Sequence, residues 1–326
     1  MTSLSEDEYA RLVAAHRPEL LAHCYRLLGS VHDAEDALQE ALLGAWRGMS
    51  GFQGRSSART WLYTICTNAC LRLMRRRPRR MLSPEHGPAR RPDDDLGEPV
   101  TTPIWLEPCP DDPAATLIAR ESVELAFVAA LQHLPATQRA VLILREVLEF
   151  PAADVARMLE TTPAAVNSAL QRARAAVEQR VPARSQQAEV AALGEHRARE
   201  VVDALVTAWE AADVDALLGL LTDDVIFTMP PLPAWFDGRA DVGRFFAERV
   251  FATPWRLTPI GSNAQLAVAC YQRATSASQP GAASTFRRGA INVLTLRDGR
   301  IAALNSFLDP AWYRPFGLPE EFPADR

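Results

Sequence analysis

Asp33, Glu35, Asp36, Gln39 and Glu40 occupy one stretch, DAEDALQE, and on a helix they fall opposite the apolar stripe Ala34, Leu38, Ala41 and Ala45. Acids near a helix start are ordinary, because they complement its dipole. The functional reading is a protein-docking face, since an acidic surface beside a basic helix would repel DNA. The basic helix follows closely: Arg59, Arg72, Arg75, Arg76 and Arg79 recur at helical spacing into LRLMRRRPRR. One positive face of that kind neutralises phosphates and implies steep salt dependence. The loop before it, GFQGRSS, has Phe52 and small polar groups, a composition suited to holding single-stranded bases.

A third group lies in PAADVARMLETTPAAVNSALQRARAAVEQRV. A short helix over 153–160 meets a tight turn at Thr161-Thr162. A second helix then opens with Thr162 as its N-cap and Pro163 in its first turn, where a missing N–H costs nothing. This is helix-turn-helix punctuation. Val166, Ala169, Leu170 and Ala173 face inward, leaving Asn167, Ser168, Gln171, Arg172 and Arg174 outside. Asn and Gln suit adenine edges in a major groove, and Arg suits guanine or phosphate. A merely solvated polar face reads the same way from this stretch alone.

The elements that carry these groups sit in a chain of 326 residues with net charge −5, a length that suits two or three domains. The chain has no Lys, so all 35 basic residues are Arg. Residues 51–91 carry ten Arg against one acid, and residues 93–112 carry seven acids and no Arg. The total therefore conceals a basic block followed by an acidic one, and says little about partners. The N-terminal segment has no signal-like apolar core and no apolar run is long enough for a membrane span, so a cytoplasmic location is expected. Five scattered Cys form no disulfide framework and read as buried thiols, and no metal site or cofactor is expected.

Helical periodicity covers residues 6–80, with Leu42 and Trp46 widening the first apolar stripe and Trp61 following the second. Residues 81–113 are rich in Pro, Gly and Asp and read as a linker. One apolar island, Trp105-Leu106-Glu107-Pro108, interrupts it and is expected to dock on something, because a pure tether has no use for an exposed Trp. Residues 114–182 are helical and residues 183–196 read as a polar hinge. From 197 to 326 two helices precede strand-like runs at 225–228, 266–271, 291–296 and 301–304, the last two flanking the turn signal RDGR. That order implies an α+β domain.

Taken in order, DAEDALQEALLGAW, SSARTWLYTICTNACLRLMRR, HLPATQRAVLILREV and AAVNSALQRAR resemble the extracytoplasmic-function sigma factors of the sigma-70 family. The implied fold is multidomain: two all-α sigma domains, a σ2 domain (6–80) and a σ4 helix-turn-helix domain (114–182), followed by an α+β domain. The resemblance implies that Asp33, Glu35, Asp36, Gln39 and Glu40 dock on the clamp helices of the largest subunit of core RNA polymerase, with a further contact to its flap region. It implies that Phe52, Arg55, Ser56, Asn68 and the Arg-rich helix melt and read the −10 element of promoter DNA, and that Thr162 and the helix from Pro163 contact the −35 element. Arg72, Asn167 and Ala169 depart from residues common in the family, so no promoter sequence carries over.

AWEAADVDALLGLLTDDVIFTMPPLPAWFDGR and GAINVLTLRDGRIAALNSFLDP resemble the SnoaL-like group, a cone-shaped α+β fold. Sigma factors of the type that ends in such a domain are implied to be regulated by it intramolecularly, with Trp105, Leu106, Glu107 and Pro108 as the candidate linker motif. Met229, Trp235, Phe245, Phe246 and Phe307 are candidates for a cone lining, either as simple filling or around a small-molecule ligand. All six His precede the cone, and its candidate bases Asp223, Asp224, Asp237 and Asp309 look like turn residues, so no enzyme is expected. Two alternatives stay open: a one-component ligand-sensing regulator, and a DNA-binding module fused to a SnoaL-like enzyme.

Overall fold

The computed structural model describes residues 5–49, 52, 54, 56–111, 120–274 and 285–322. It divides into two compact units. The first joins residues 1–80 to 112–183, and the second joins residues 81–111 to 184–326.

The first unit is helical. α1 (Glu6–Leu28) opens with a reciprocal cap between Ser5 and Glu8 and ends at Gly29, whose φ of 68° is left-handed. Ser30 caps α2 (Val31–Gly48), and Ser57 caps α3 (Ala58–Met74). Leu20, Leu27, Leu38, Leu62, Tyr25 and Tyr63 close the core between these three helices. Cys24 on α1 meets Cys66 and Cys70 of α3 in this core, and hydrogen bonding among the thiols, then burial, leaves the Cys24 and Cys66 thiols well above their ordinary range. α3 does not continue into the whole Arg cluster as the periodicity implies. It stops at Met74 because Pro78 cannot supply an N–H and restricts the residue before it, and Arg76 N–H turns back to the Leu73 carbonyl.

α4 (Leu125–Gln132), α5 (Ala136–Leu142, continuing as a π turn over Ile143–Val147), α6 (Ala152–Met158) and α7 (Pro163–Glu178) complete the unit. Three side chains fasten them to the first three helices. Arg139 is buried, donating to the Leu27 carbonyl at the end of α1 and to Gln132 and Leu134. Burial, and then Arg79, draws its guanidinium down to about 10, so it stays charged at neutral pH. Arg26 donates to Ser122, and Phe150 packs edge-on to Tyr63 with ring centroids 5.4 Å apart.

The second unit is a six-stranded sheet, β1 (Leu221–Thr228), β2 (Trp235–Asp237), β3 (Trp255–Ser262), β4 (Gln265–Arg273), β5 (Phe286–Arg297) and β6 (Arg300–Phe307), in the order β2-β1-β6-β5-β4-β3. Among these described strands only β1 and β6 pair in parallel. β3 does not show in the periodicity of the sequence because Pro259 and Gly261 interrupt its alternation. α8 (Gln186–Leu193), α9 (Glu195–Glu210), α10 (Val214–Leu220) and α11 (Arg239–Glu248) accompany the sheet. The stretch read as a polar hinge is thus mostly helix. Buried Gln186 fixes it to the sheet, exchanging bonds with the Leu296 backbone at 2.6 and 3.0 Å. Trp209, Phe227, Phe236, Phe245 and Phe246 form the aromatic centre of the core. Gly289 is required by close approach: a Cβ there would lie 2.5 Å from the Trp255 ring.

Residues 81–111, read from sequence as a linker, pack as part of this second unit. Met81 forms a parallel bridge with Trp105. The Trp235 indole donates to the Gly87 carbonyl at 2.8 Å, and the Trp235 carbonyl accepts from Arg90 N–H at 2.8 Å. Asp93 pairs with Arg244 at 2.9 Å. The far end is gripped by the β3–β4 turn, where Asn263 and Ala264 both adopt left-handed φ. Asn263 exchanges two bonds with the Cys109 backbone, at 2.8 and 2.9 Å, and Ala264 N–H donates to Asp111 at 2.6 Å.

Candidate polymerase-docking and nucleic-acid surfaces

On α2 the acids divide. Glu35, Asp36, Gln39 and Glu40 are exposed, with Glu40 paired to Arg72 at 2.8 Å. Asp33 is buried instead, paired with the equally buried Arg80 and, at 3.5 Å, with Arg77. The reason is positional: Asp33 N–H is taken by the Ser30 cap at the first turn, where the side chain points back toward the returning chain. The sequence placed it on the outer face because helical spacing alone does not show which neighbour arrives from residue 80. Trp46, expected to widen the inward stripe, is 42% exposed, and Leu43 is 52% exposed. Together with Tyr9, Val13, Leu42, Glu35 and Gln39 they line an open groove of about 560 Å³ between α1 and α2. The acidic face therefore borders an apolar one, which the sequence reading did not anticipate.

The basic candidates also separate. Arg72, Arg75, Arg76 and Arg79 are exposed at the end of α3 and the turn beyond it, with Arg79 against His133. Arg59 is occupied within the unit, bonded to Glu19 at 3.2 Å and lying over the rings of Tyr63 and Phe150. Phe52 and Ser56 are half-buried, Phe52 packing on Trp61 at 5.1 Å, and Asn68 is half-buried on α3. Arg55 lies outside the described residues.

On α7 the geometry follows the sequence closely. Thr162 accepts from Ala165 N–H at 3.2 Å, and Glu160 takes a left-handed φ of 51° in the turn. Val166, Ala169, Leu170 and Ala173 are buried, while Asn167, Ser168, Gln171, Arg172 and Arg174 are exposed in one row. Arg174 pairs with Glu146.

In the second unit Trp105, Leu106, Glu107 and Pro108 are all buried, and Trp105 stands edge-on to His86 at 5.2 Å. The five proposed lining residues do not converge on one space. Met229, Phe245 and Phe246 fill the core cluster, Trp235 is turned to the Gly87 segment, and Phe307 packs edge-on to Trp312. Asp223 pairs with Arg239, Asp224 pairs with Arg297, and Asp309 caps the last 3-10 turn. Asp237 is exposed at the end of β2.

A helical pair of regions with an exposed helix-turn-helix, followed by an α+β sheet domain, is the build of a sigma factor with an appended SnoaL-like domain. Comparison with known proteins agrees: residues 12–80 match Sigma-70 region 2, residues 124–177 match Sigma-70 region 4, and residues 202–304 match the SnoaL-like domain. The chain is 41% identical over 315 residues to the ECF RNA polymerase sigma factor SigG of Mycobacterium tuberculosis, covering 94% of this chain and 82% of that one. It is 31% identical to SigJ of the same organism, over 91% of this chain and 90% of SigJ. The crystal structure of SigJ superimposes with a TM-score of 0.60 at 25% identity, covering 94% of this chain and 98% of that one. The chain belongs to the extracytoplasmic-function sigma factors of the sigma-70 family, in the group that carries a C-terminal SnoaL-like domain.

Proposed function

We propose that this chain binds core RNA polymerase and directs it to specific promoters, with the SnoaL-like domain regulating that activity through the linker it holds. Exposed Glu35, Asp36, Gln39 and Glu40 supply the polymerase-facing surface. Arg72, Arg75, Arg76 and Arg79 serve the −10 region, and the exposed row on α7 serves the −35 element in a major groove. The observation that carries the reading is the separation of charge within one helical unit: an acidic helix face for protein and exposed Arg sets for DNA. A one-component regulator would leave the acidic helix without a role, and the cone carboxylates offer an enzyme no acid–base pair.

Run-off transcription with cognate core polymerase tests the proposal. Transcripts from a defined promoter are expected only when the full chain is added. No transcript from any promoter fragment pulled down with the holoenzyme would refute it.

A further inference from the structure

Residues 81–123 connect the two sigma regions, and Glu124 lies 43 residues beyond Met81. Fully extended, that chain would reach roughly 145 Å. The structure short-circuits it. Met81 N–H donates to the Ile104 carbonyl at 2.8 Å, and Leu106 N–H donates to the Met81 carbonyl at 3.0 Å. The chain therefore returns beside its own start at Trp105, across one strand spacing of about 5 Å. Only residues 105–123 remain as connection, about 65 Å at most. A path of about 70 Å replaces one of roughly 145 Å.

We propose that the Met81–Trp105 bridge is a tether shortcut, closed in the free chain and opened when the sigma regions engage a promoter. This rests on the sigma reading above. Promoter elements named for positions −10 and −35 lie about 25 base pairs apart, or roughly 85 Å along the duplex. Arg79 sits just before the bridge, and a region of about 60 residues such as the one carrying α7 is some 25 Å across. With the shortcut closed, the two reading surfaces cover that span only if every residue between them is drawn taut. Opening the bridge, with the bypassed residues released from Trp235 and Arg244, adds about 75 Å of slack.

The buried WLEP island then acts by closing a loop. Trp105 and Leu106 are themselves buried at the bridge, and the bypassed residues are pinned by Trp235 and Arg244. The Asn263–Ala264 turn fixes the other end at Cys109 and Asp111. Loop-closure statistics make the closed tether several-fold less permissive for simultaneous engagement.

The test is a reversible lock. Met81→Cys and Trp105→Cys are combined in a Cys109→Ser background; the remaining thiols, Cys24, Cys66, Cys70 and Cys270, are buried. Bridge-paired Cα atoms lie within disulfide range. Oxidation with diamide, which takes up the two protons and two electrons released by the thiols, should lower run-off transcription at least fivefold. Dithiothreitol should restore it, and affinity for core polymerase should stay the same in both forms. Equal transcription from locked and reduced protein overturns the shortcut. An unsubstituted chain that fires no promoter sinks the sigma reading itself. Should the reduced variant be inactive beside an active unsubstituted chain, hydrogen exchange on the latter decides. The Met81 and Leu106 amides are expected to be protected in the free chain and to exchange faster in the promoter complex, and unchanged protection overturns the proposal.

Discussion

Asp33 and Glu35 are two residues apart and do unlike things. Asp33 neutralises Arg80 inside the fold, whereas Glu35 faces outward beside the Trp46 groove. Removing one partner of a buried pair strands the other, so Asp33→Ala should destabilise the protein by about 3–5 kcal/mol. Glu35→Ala should change stability by less than about 0.5 kcal/mol, since exposed sites of this kind are usually near neutral. Urea titrations of both variants check the contrast. His23 gives a pH signature. Thr67 Oγ donates to the Tyr63 carbonyl, so it accepts from His23, which places the imidazole proton on Nε2. Burial, then Arg26 and Arg59, holds its pKa down at about 3. The unfolded residue protonates near 6.5, so the unfolded state takes up the proton first and stability falls as pH drops from 6.5 toward 3. Between pH 7 and pH 5 about 2 kcal/mol should be lost at this site, and His23→Gln should flatten that part of a urea-midpoint profile. Neither role was legible in the sequence, where His23 looks like an ordinary helix residue and Asp33 falls with the docking acids on the outer face.

At the scale of elements, α2 and α7 were readable because one face of each is apolar at helical spacing and each begins with a side-chain cap. Reversing Glu35 and Asp36 to Arg should cost at least tenfold in affinity for core polymerase without altering the unfolding midpoint, as measured by co-purification and urea titration. Loss of the fold along with the affinity would assign those acids a structural role instead. The end of α3 was less legible. Arg spacing continues past the point where Pro78 stops the helix, so periodicity overran the backbone. β3 failed in the opposite direction, since its Pro and Gly mask a strand that the neighbouring β4 pairs along eight positions.

Across the whole molecule, a net charge of −5 coexists with exposed Arg sets at 72–79 and on α7. Promoter affinity should therefore fall steeply with salt, and Arg172→Ala should reduce the slope of log affinity against log salt by about one if that side chain meets a phosphate. Filter binding of the holoenzyme between 50 and 200 mM salt measures it. The sequence by itself determined the order of the regions, the sign of each surface and the helix-turn-helix, because those depend on local spacing and on caps a few residues away. Tertiary structure alone decided that Asp33 is internal, that Trp46 is exposed, and that the acidic linker is a folded part of the SnoaL-like unit. The first and last of those outcomes depend on partners remote in sequence: Arg80 for Asp33, Trp235 for the linker's first half and Asn263 for its end. Periodicity carries no information about such partners, since it reports which face of an element is apolar and not what comes to cover it.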